Sequence, residues 1–250
     1  MSILLRTDCL TKKFGELVAV NDVTMSIKSE GILSIIGPNG AGKTTFFNLI
    51  TGYLKPNNGK IYFLGENITY IPPFKLVHKG LSRSFQIASY FPDFTVLENI
   101  QLGVLNHAGY GFKYLKNINS IKGINDKSEH FVELLELKDE KNLKAKYLSH
   151  GDKKLLDIAM SLTLEPKILL LDEPTSGVSG EARNRVIKFI EKLSKSLKVV
   201  VIEHDMDIVF SISDRIVVLA EGKILADGNR EEIKDNKKVK ESYLGEEEIK

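Results

Sequence analysis

The residues with the clearest chemical meaning form a glycine-rich stretch between an apolar run and a helix-forming segment. They are Gly37, Pro38, Asn39, Gly40, Ala41, Gly42, Lys43 and Thr44, with a second threonine, Thr45, directly after them. Glycines let backbone N–H groups approach phosphate oxygens closely, and a helix start adds positive potential. The lysine supplies a point charge for the outer phosphates, and the first threonine hydroxyl can ligate Mg²⁺. This spacing predicts a binding site for ATP or GTP.

A second set of polar residues follows two other apolar runs. Residues 168–171 are continuously apolar, as a buried parallel strand should be, and Asp172 and Glu173 come next. Ligands bind beyond the carboxyl ends of parallel strands, so we predict that Asp172 holds Mg²⁺ and Glu173 orients and deprotonates a water. The alternative is that this acidic pair only caps a strand end. His204 follows the run 199–202 and is either structural or a hydrogen-bonding partner of a γ-phosphate or of the water near it.

The elements that must position these groups follow from hydrophobic periodicity. The sequence predicts strands at 3–10, 20–27, 32–36, 61–64, 168–171 and 199–202, helices at 43–50, 96–105, 129–137, 152–164 and 180–196, and a hairpin of 216–219 with 223–226. We therefore predict an α/β fold with a core of mainly parallel sheet, helices on both faces and an N-terminal antiparallel β part. The core comprises residues 1–86 and 157–230, with a helical subdomain inserted at about 87–156 and a charged, partly helical tail at 231–250.

Composition narrows the functional class. The chain has 35 Lys and Arg against 33 Asp and Glu, a net charge of +2, which argues against nucleic acid as a partner. Its single cysteine fits a reducing compartment. No apolar run reaches the roughly 18 residues that a membrane span requires, and the apolar N-terminus is too short for a secretory signal. We expect a cytoplasmic protein that can dock on a membrane.

Taken in chain order, these motifs resemble the nucleotide-binding subunit of ABC transporters over nearly the whole chain. The matching segments are 37–44 for the Walker A loop, Gln86 for the Q-loop glutamine, 148–152 for the signature motif, 168–173 for Walker B with its catalytic glutamate, and His204 for the switch histidine. The segments 48–52, 71–73, 95–99, 203–206 and 242–246 resemble the importer subgroup for branched-chain amino acids and for urea or short amides.

The resemblance implies a P-loop NTPase fold, an ATPase activity, and ATP and Mg²⁺ as cofactors. It implies a dimer with a second ATPase subunit, identical or related, on integral-membrane permeases that an external solute-binding protein supplies, at the inner face of the cell membrane. The implied catalytic residues are Glu173, His204, Gln86 and Lys43, and the implied metal ligands are Thr44, Gln86 and Asp172. Ser149, His150 and Gly151 would contact the nucleotide of the opposite subunit, and Phe14 either stacks on adenine or is a core aromatic.

Three positions depart from the family pattern. His150 and Asp152 stand where the signature usually has a glycine and a glutamine, and Ser179 stands where the loop after Walker B usually has an aspartate. Ser149 with Asp152 also forms a helix-start pattern, so Ser149 is an N-cap, an anion site, or both. We expect Asp152 to face back toward its own helix start, or to be offset by Lys153 and Lys154.

Two alternatives share the phosphate loop. A soluble ABC-type ATPase in a non-transport complex would have the same motifs, although such proteins often carry fused halves or a basic arm that this chain lacks. A kinase or GTPase would not explain the segment 148–152 or His204, and the chain has no guanine-reading Asn-Lys-x-Asp string. The leading interpretation is therefore the ATPase subunit of a membrane importer.

Overall fold

Two β-sheets form the framework of the molecule, a computed structural model that describes residues 2–29, 31–84, 90–110, 121 and 123–247. Residues 244–247 are described by their backbone alone. In chain order the strands are β1 (Ile3–Phe14), β2 (Leu17–Lys28), β3 (Ile32–Ile36), β4 (Asn58–Phe63), β5 (Glu66–Asn67), β6 (Leu81–Arg83), β7 (Ile168–Asp172), β8 (Lys198–Ile202), β9 (Arg215–Ala220) and β10 (Lys223–Gly228).

The larger sheet has the described strand order β10-β9-β3-β8-β7-β6. All neighbours from β9 to β6 are parallel, and β10 pairs antiparallel with β9 as the predicted hairpin. The smaller sheet has the order β2-β1-β4-β5 and is antiparallel throughout. The predicted combination of a mainly parallel sheet and an N-terminal antiparallel part is confirmed.

Helices cover both faces of the larger sheet. They are α1 (Lys43–Ile50), α2 (Pro73–Lys79), α3 (Val96–His107), α4 (Ile124–Leu134), α5 (His150–Leu162), α6 (Gly180–Ser194), α7 (Met206–Ile212), α8 (Arg230–Lys234) and α9 (Lys237–Glu247). Within the described ranges, none of these helices is long and apolar enough to cross a membrane.

The apolar runs at the centre of the sheet are buried on both faces. Every residue of β3, β7 and β8 is buried. Alternate residues of β7 face opposite sides, because Ile168 and Leu170 pack with α1 and the antiparallel sheet, whereas Leu169 and Leu171 pack with α3, α5 and α6. Continuous rather than alternating hydrophobicity is therefore what this strand requires.

Several predicted boundaries differ from the observed ones. α4 spans Ile124–Leu134 rather than 129–137, because Gly123 in the left-handed conformation precedes its first turn and Glu136 has a φ of 58° just after it. β1 and β2 are longer than predicted because they pair with each other along their length. α5 spans His150–Leu162, two residues earlier at each end than the predicted helix at 152–164. Sequence reasoning did not identify α2, β6 or α7.

Candidate active site

Four neighbouring parallel strands end at one edge of the larger sheet. Because β3, β8, β7 and β6 are adjacent and parallel, the segments that follow them lie along the same edge. These segments contain the glycine-rich loop after β3, residues 203–204 after β8, and Glu173 after β7. Asp172 is itself the last residue of β7, opposite Ile202 of β8. Gln86 follows β6 in sequence but lies outside the described residues.

The glycines of the loop approach neighbouring backbone too closely for any side chain. A Cβ atom on Gly37 would stand 2.0 Å from the carbonyl oxygen of Leu219, and one on Gly42 would stand 2.2 Å from that of Ala19. Their φ angles of 149° and 99° also favour glycine. Gly42 precedes α1 without a side-chain cap, so the first-turn N–H groups of α1 face the loop as donors for an anion.

The lysine of this loop is folded over it. The Nζ atom of Lys43 donates to the carbonyl oxygens of Gly37 at 2.5 Å and Pro38 at 2.8 Å. Thr44 is exposed at the start of α1, and Thr45 beside it is half-buried. Among the other loop residues, Asn39 and Gly40 are exposed, and Ala41 is buried. The ammonium group is thus held against the backbone of a loop whose N–H groups could contact phosphate oxygens.

The surroundings of the Asp172 carboxylate indicate whether a metal ion fits at this edge. Its Oδ2 atom accepts a hydrogen bond of 2.6 Å from the guanidinium of Arg83, and the two side chains are only 1% and 8% exposed. Its Oδ1 atom is buried and has no hydrogen-bond partner within the described part of the chain. A buried carboxylate oxygen without a partner is costly, and a hard cation is the ligand it would satisfy.

The described residues contain no group of three or more acidic, histidine or cysteine side chains that could form a closed metal cage. A site with few protein ligands suits Mg²⁺ bound mainly through nucleotide phosphates and water.

Glu173 and His204 lie next to each other at the same edge. Glu173 has a φ of 48°, and its N–H donates to the carbonyl oxygen of Ile202 at 2.9 Å. The Nδ1 atom of His204 is 4.0 Å from Oε1 of Glu173 and 3.9 Å from Oε2 of Glu203. These separations are too long for hydrogen bonds, so both partly exposed side chains can turn toward a ligand. This arrangement can hold a water and a γ-phosphate between a carboxylate and an imidazole.

Glu203 is a structural carboxylate that sequence reasoning missed. It is buried, and its Oε1 atom accepts from the backbone N–H and the hydroxyl of Thr175 at 3.1 and 2.6 Å. It therefore fixes the segment after β7 to the end of β8. Its position directly before His204 was the available signal, but an acidic residue after a strand is equally typical of an exposed loop.

Ser149 and His150 are exposed at the start of α5, and Gly151 is buried against α6, where a Cβ would stand 2.9 Å from the Cβ of Ala182. The Ser149 hydroxyl donates to Oδ2 of Asp152 at 2.5 Å and accepts from the Asp152 N–H at 3.2 Å. Asp152 thus faces its own helix start, as expected.

The cation that offsets Asp152 is not one of the two lysines that follow it. Arg185 of α6 donates to Oδ1 of Asp152 at 2.9 Å, because the packing of α6 against α5 brings that side chain across. Lys154 instead donates to the backbone carbonyl of Glu173 at 3.2 Å. Of the two possibilities considered for Asp152, the structure shows the orientation toward its own helix start, and the nearby cation is Arg185 rather than Lys153 or Lys154. No local sequence signal predicts the contact with Arg185.

Phe14 ends β1 with its side chain at the surface. It is 46% exposed, and the Nζ atom of Lys12 lies 5.2 Å from the centre of its ring. An aromatic ring that is half exposed beside a cation is not a core residue, so that alternative is wrong. The exposed ring is available to stack on a planar ligand.

Comparison with known proteins places this geometry in context. A model described as ABC transporter matches residues 20–176. The chain is 38% identical to the high-affinity branched-chain amino acid transport ATP-binding protein BraF of Pseudomonas aeruginosa, and the match covers 97% of this chain and 98% of that relative.

Two solved structures are similar along most of their length. The ADP conformation of an ATP-binding cassette of an ABC transporter gives a TM-score of 0.87 at 32% identity. The match covers 98% of this chain and 100% of that chain. A dimeric post-hydrolysis state of another ATP-binding cassette, bound to ADP and phosphate, gives a TM-score of 0.74 at 26% identity, covering 91% and 99%.

Proposed function

The chain belongs to the ABC transporter family and is an ATPase with the P-loop NTPase fold, and on this premise we propose that it powers a membrane importer. We infer that the solute is a branched-chain amino acid or a related small polar compound such as urea or an amide. The relative of Pseudomonas aeruginosa is named for branched-chain amino acid transport, which supports this choice. The alternative of a soluble ATPase in a non-transport complex is not favoured by the comparisons.

The main support for this proposal is that the glycine-rich loop, Asp172 with Glu173, and His204 lie at the ends of adjacent parallel strands. At this edge of the sheet, the backbone N–H groups of residues 37 and 39–42 and the ammonium of Lys43 bind the phosphates. Glu173 orients and deprotonates the attacking water, and His204 hydrogen-bonds the γ-phosphate or that water. Phe14 stacks on the adenine.

We propose that Thr44, Asp172 and Gln86 hold Mg²⁺ at this edge. The buried and unpartnered Oδ1 atom of Asp172, in the described part of the chain, supports a cation there. When bound, Mg²⁺ neutralises charge on the phosphate oxygens. The role of Gln86 rests on the sequence motif alone.

The proposed active form is a dimer in which each protomer closes over the nucleotide of the other. Ser149 and His150 are exposed at the N-terminus of α5, where helix amides can bind an anion. A related cassette with bound ADP and phosphate is dimeric, which supports a dimer as the active form. The second subunit is another copy or a related chain, and Gly151 allows α5 to lie close to α6 in either case.

A groove beside β6 is the proposed docking place for a permease. It has a volume of about 330 Å³. Its lining includes Leu102 of α3 and Met160 of α5, together with Tyr53 and Phe91. Burial raises the pKa of the Tyr53 phenol above its ordinary value, and Arg83 partly offsets this. An apolar groove between the α/β core and the proposed subdomain at about 87–156 suits a permease segment that inserts into it. The permease would receive its solute from an external solute-binding protein. The chain would then lie at the inner face of the cell membrane.

The test of this function is a variant that binds ATP without hydrolysing it. We expect Glu173→Gln to reduce turnover by at least about a hundredfold and to form a dimer on gel filtration only with ATP and Mg²⁺. Glu191→Gln is the matched control, because Glu191 is exposed in α6 away from the strand edge. A Glu173→Gln protein that keeps wild-type turnover would contradict the proposed mechanism, and one that loses turnover but stays monomeric in excess ATP would contradict pairing with a second copy of this chain.

Solute identity needs a separate experiment. Uptake of labelled leucine and of labelled urea would be compared in cells that carry the chain and in cells that lack it. Loss of leucine uptake alone supports the amino-acid importer, loss of urea uptake alone redirects the proposal to amides, and no loss of either contradicts both.

A further inference from the structure

Arg83 is a charged residue in the interior of the molecule that the proposed reaction does not use. It is the last residue of the short strand β6, where it stands opposite Leu170 of β7. Its guanidinium donates to Asp172 at 2.6 Å and to the side-chain oxygen of Asn48 at 2.5 Å. It also lies over the ring of Phe47, with 5.6 Å between its central carbon and the ring centre. One side chain therefore joins β6, β7 and α1.

Because of this contact, the two carboxylate oxygens of Asp172 have different surroundings. Oδ2 is occupied by Arg83, whereas Oδ1 is buried without a hydrogen-bond partner in the described part of the chain. A guanidinium is a rigid planar fork, so its bond to Oδ2 restricts rotation of the carboxylate group. The remaining oxygen is consequently held in one direction.

The other terminal nitrogen of the guanidinium connects this carboxylate to α1, the helix that follows the phosphate-binding loop. Asn48 belongs to α1, the helix that begins at Lys43 directly after the loop. Arg83 thus bridges the helix that follows the loop and the strand that ends in Asp172. Moving either element without the other would break one of the two bonds.

We infer that Arg83 is a positioning residue that holds the Asp172 carboxylate in the orientation required for Mg²⁺ and at a fixed place relative to α1. The inference rests on the proposed magnesium site at Asp172. Groups that orient a metal ligand without touching the metal commonly change metal affinity by 10- to 100-fold when they are removed. Arg83 acts through Asp172 and contributes to binding of Mg-ATP rather than to ATP alone.

The experiment measures how much Mg²⁺ strengthens nucleotide binding. A fluorescent, non-hydrolysable ATP analogue is titrated with Mg²⁺ and with EDTA, and the ratio of the two affinities is the magnesium gain. We expect Arg83→Met to reduce this gain by about tenfold or more, with little change in EDTA. Arg83→Lys, which keeps the charge without the fork, should recover part of it. Asn48→Ala, which removes one hydrogen bond, should reduce it by about two- to tenfold.

Two further variants separate the possible failures. Lys79→Met breaks the exposed pair with Glu66 and should leave the gain unchanged. Asp172→Asn tests the metal site itself: an unchanged gain there contradicts the proposed site and the inference together. A reduced gain in Asp172→Asn with a wild-type gain in Arg83→Met overturns the positioning role alone. If Arg83→Met does not fold, Arg83→Lys and Asn48→Ala carry the test, and wild-type gains in both overturn it.

Discussion

The strand edge that holds the glycine-rich loop and the start of α5 that holds Ser149 are built by different means. At the edge, β3, β7 and β8 are buried along their whole length, and Gly37 meets neighbouring backbone with no room for a Cβ. At the start of α5, Ser149 is exposed and is held by the side chains of Asp152 and, through it, Arg185.

The strand edge is therefore a preformed half of the proposed site, whereas the start of α5 is a half that can adjust. Backbone packed against backbone has one arrangement, because close-packed interiors leave no room for a second. Hydrogen bonds between partly exposed side chains can be exchanged for bonds to a ligand at small net cost. We expect substitutions at the strand edge to be costly and those at the start of α5 to be tolerated.

The largest expected effect is that of Gly37→Ala. A Cβ there would stand 2.0 Å from the carbonyl oxygen of Leu219, so either β9 or the loop must move. Overpacking and an unfavourable φ together predict a loss of roughly 3 kcal/mol of stability or more. Urea unfolding measures that loss, and ATP binding should fall with it because the loop amides are displaced.

Gly40→Ala is the matched control for that prediction. Its φ of 77° is also unfavourable for alanine, but nothing lies within 4 Å of the added Cβ. Only the conformational cost of roughly 1–2 kcal/mol applies. Equal losses in the two variants would mean that close packing against β9 does not fix the loop.

The same contrast explains which parts of the molecule were predictable from sequence. α1 was predicted with its observed bounds, because a glycine-rich loop precedes it and Gly52 follows its C-cap. β7 was recognised from its continuous hydrophobicity. Local signals of this kind act within a few residues and need no knowledge of the remaining chain.

The unpredicted parts depend on distant partners. β6 has only three residues, and its pairing with β7 joins segments more than 80 residues apart in sequence, as in Arg83 with Leu170. No local feature of the sequence predicts the contact of Arg83 with Asp172. α2 did carry a local signal, a proline at its first position and Gly80 in the left-handed conformation at its end, which could have been used.

A smaller effect is expected for Asp152→Gln at the start of α5. The change removes the bond to Arg185, a pair whose members are 14% and 41% exposed, and such pairs contribute about 0–1 kcal/mol. ATP turnover should stay within a few-fold of wild type, because Asp152 faces its own helix start. Steady-state ATPase assays and thermal unfolding measure the two quantities.

Arg185→Met supplies the comparison for Asp152. If Asp152 only anchors Ser149, both variants should give the same modest change in unfolding temperature and in turnover. A collapse of turnover in Asp152→Gln, with Arg185→Met near wild type, would show that the carboxylate acts directly on the nucleotide and that this region is not adjustable.

The smallest expected effect concerns pH and the contacts between α3, α4 and the end of α5. A hydrogen bond from Lys127, with a smaller contribution from His107, lowers the pKa of Glu165 below its ordinary value. A lowered pKa in the folded state adds stability that is present above the unfolded value, about 4.3, and is lost as pH falls through the folded value. Because Glu165 is partly exposed, the contribution is roughly 0.2–1 kcal/mol.

Glu165→Gln isolates that contribution. Urea unfolding should find the variant slightly less stable than wild type near neutral pH, with the difference shrinking below about pH 4 as the wild-type carboxylate gains its proton. ATP binding should be unaffected at either pH, because the sheet edge depends on backbone packing rather than on this ion pair. A difference in stability that persists unchanged at low pH would mean that Glu165 acts through its packing or its left-handed backbone, with a φ of 49°, rather than through its charge.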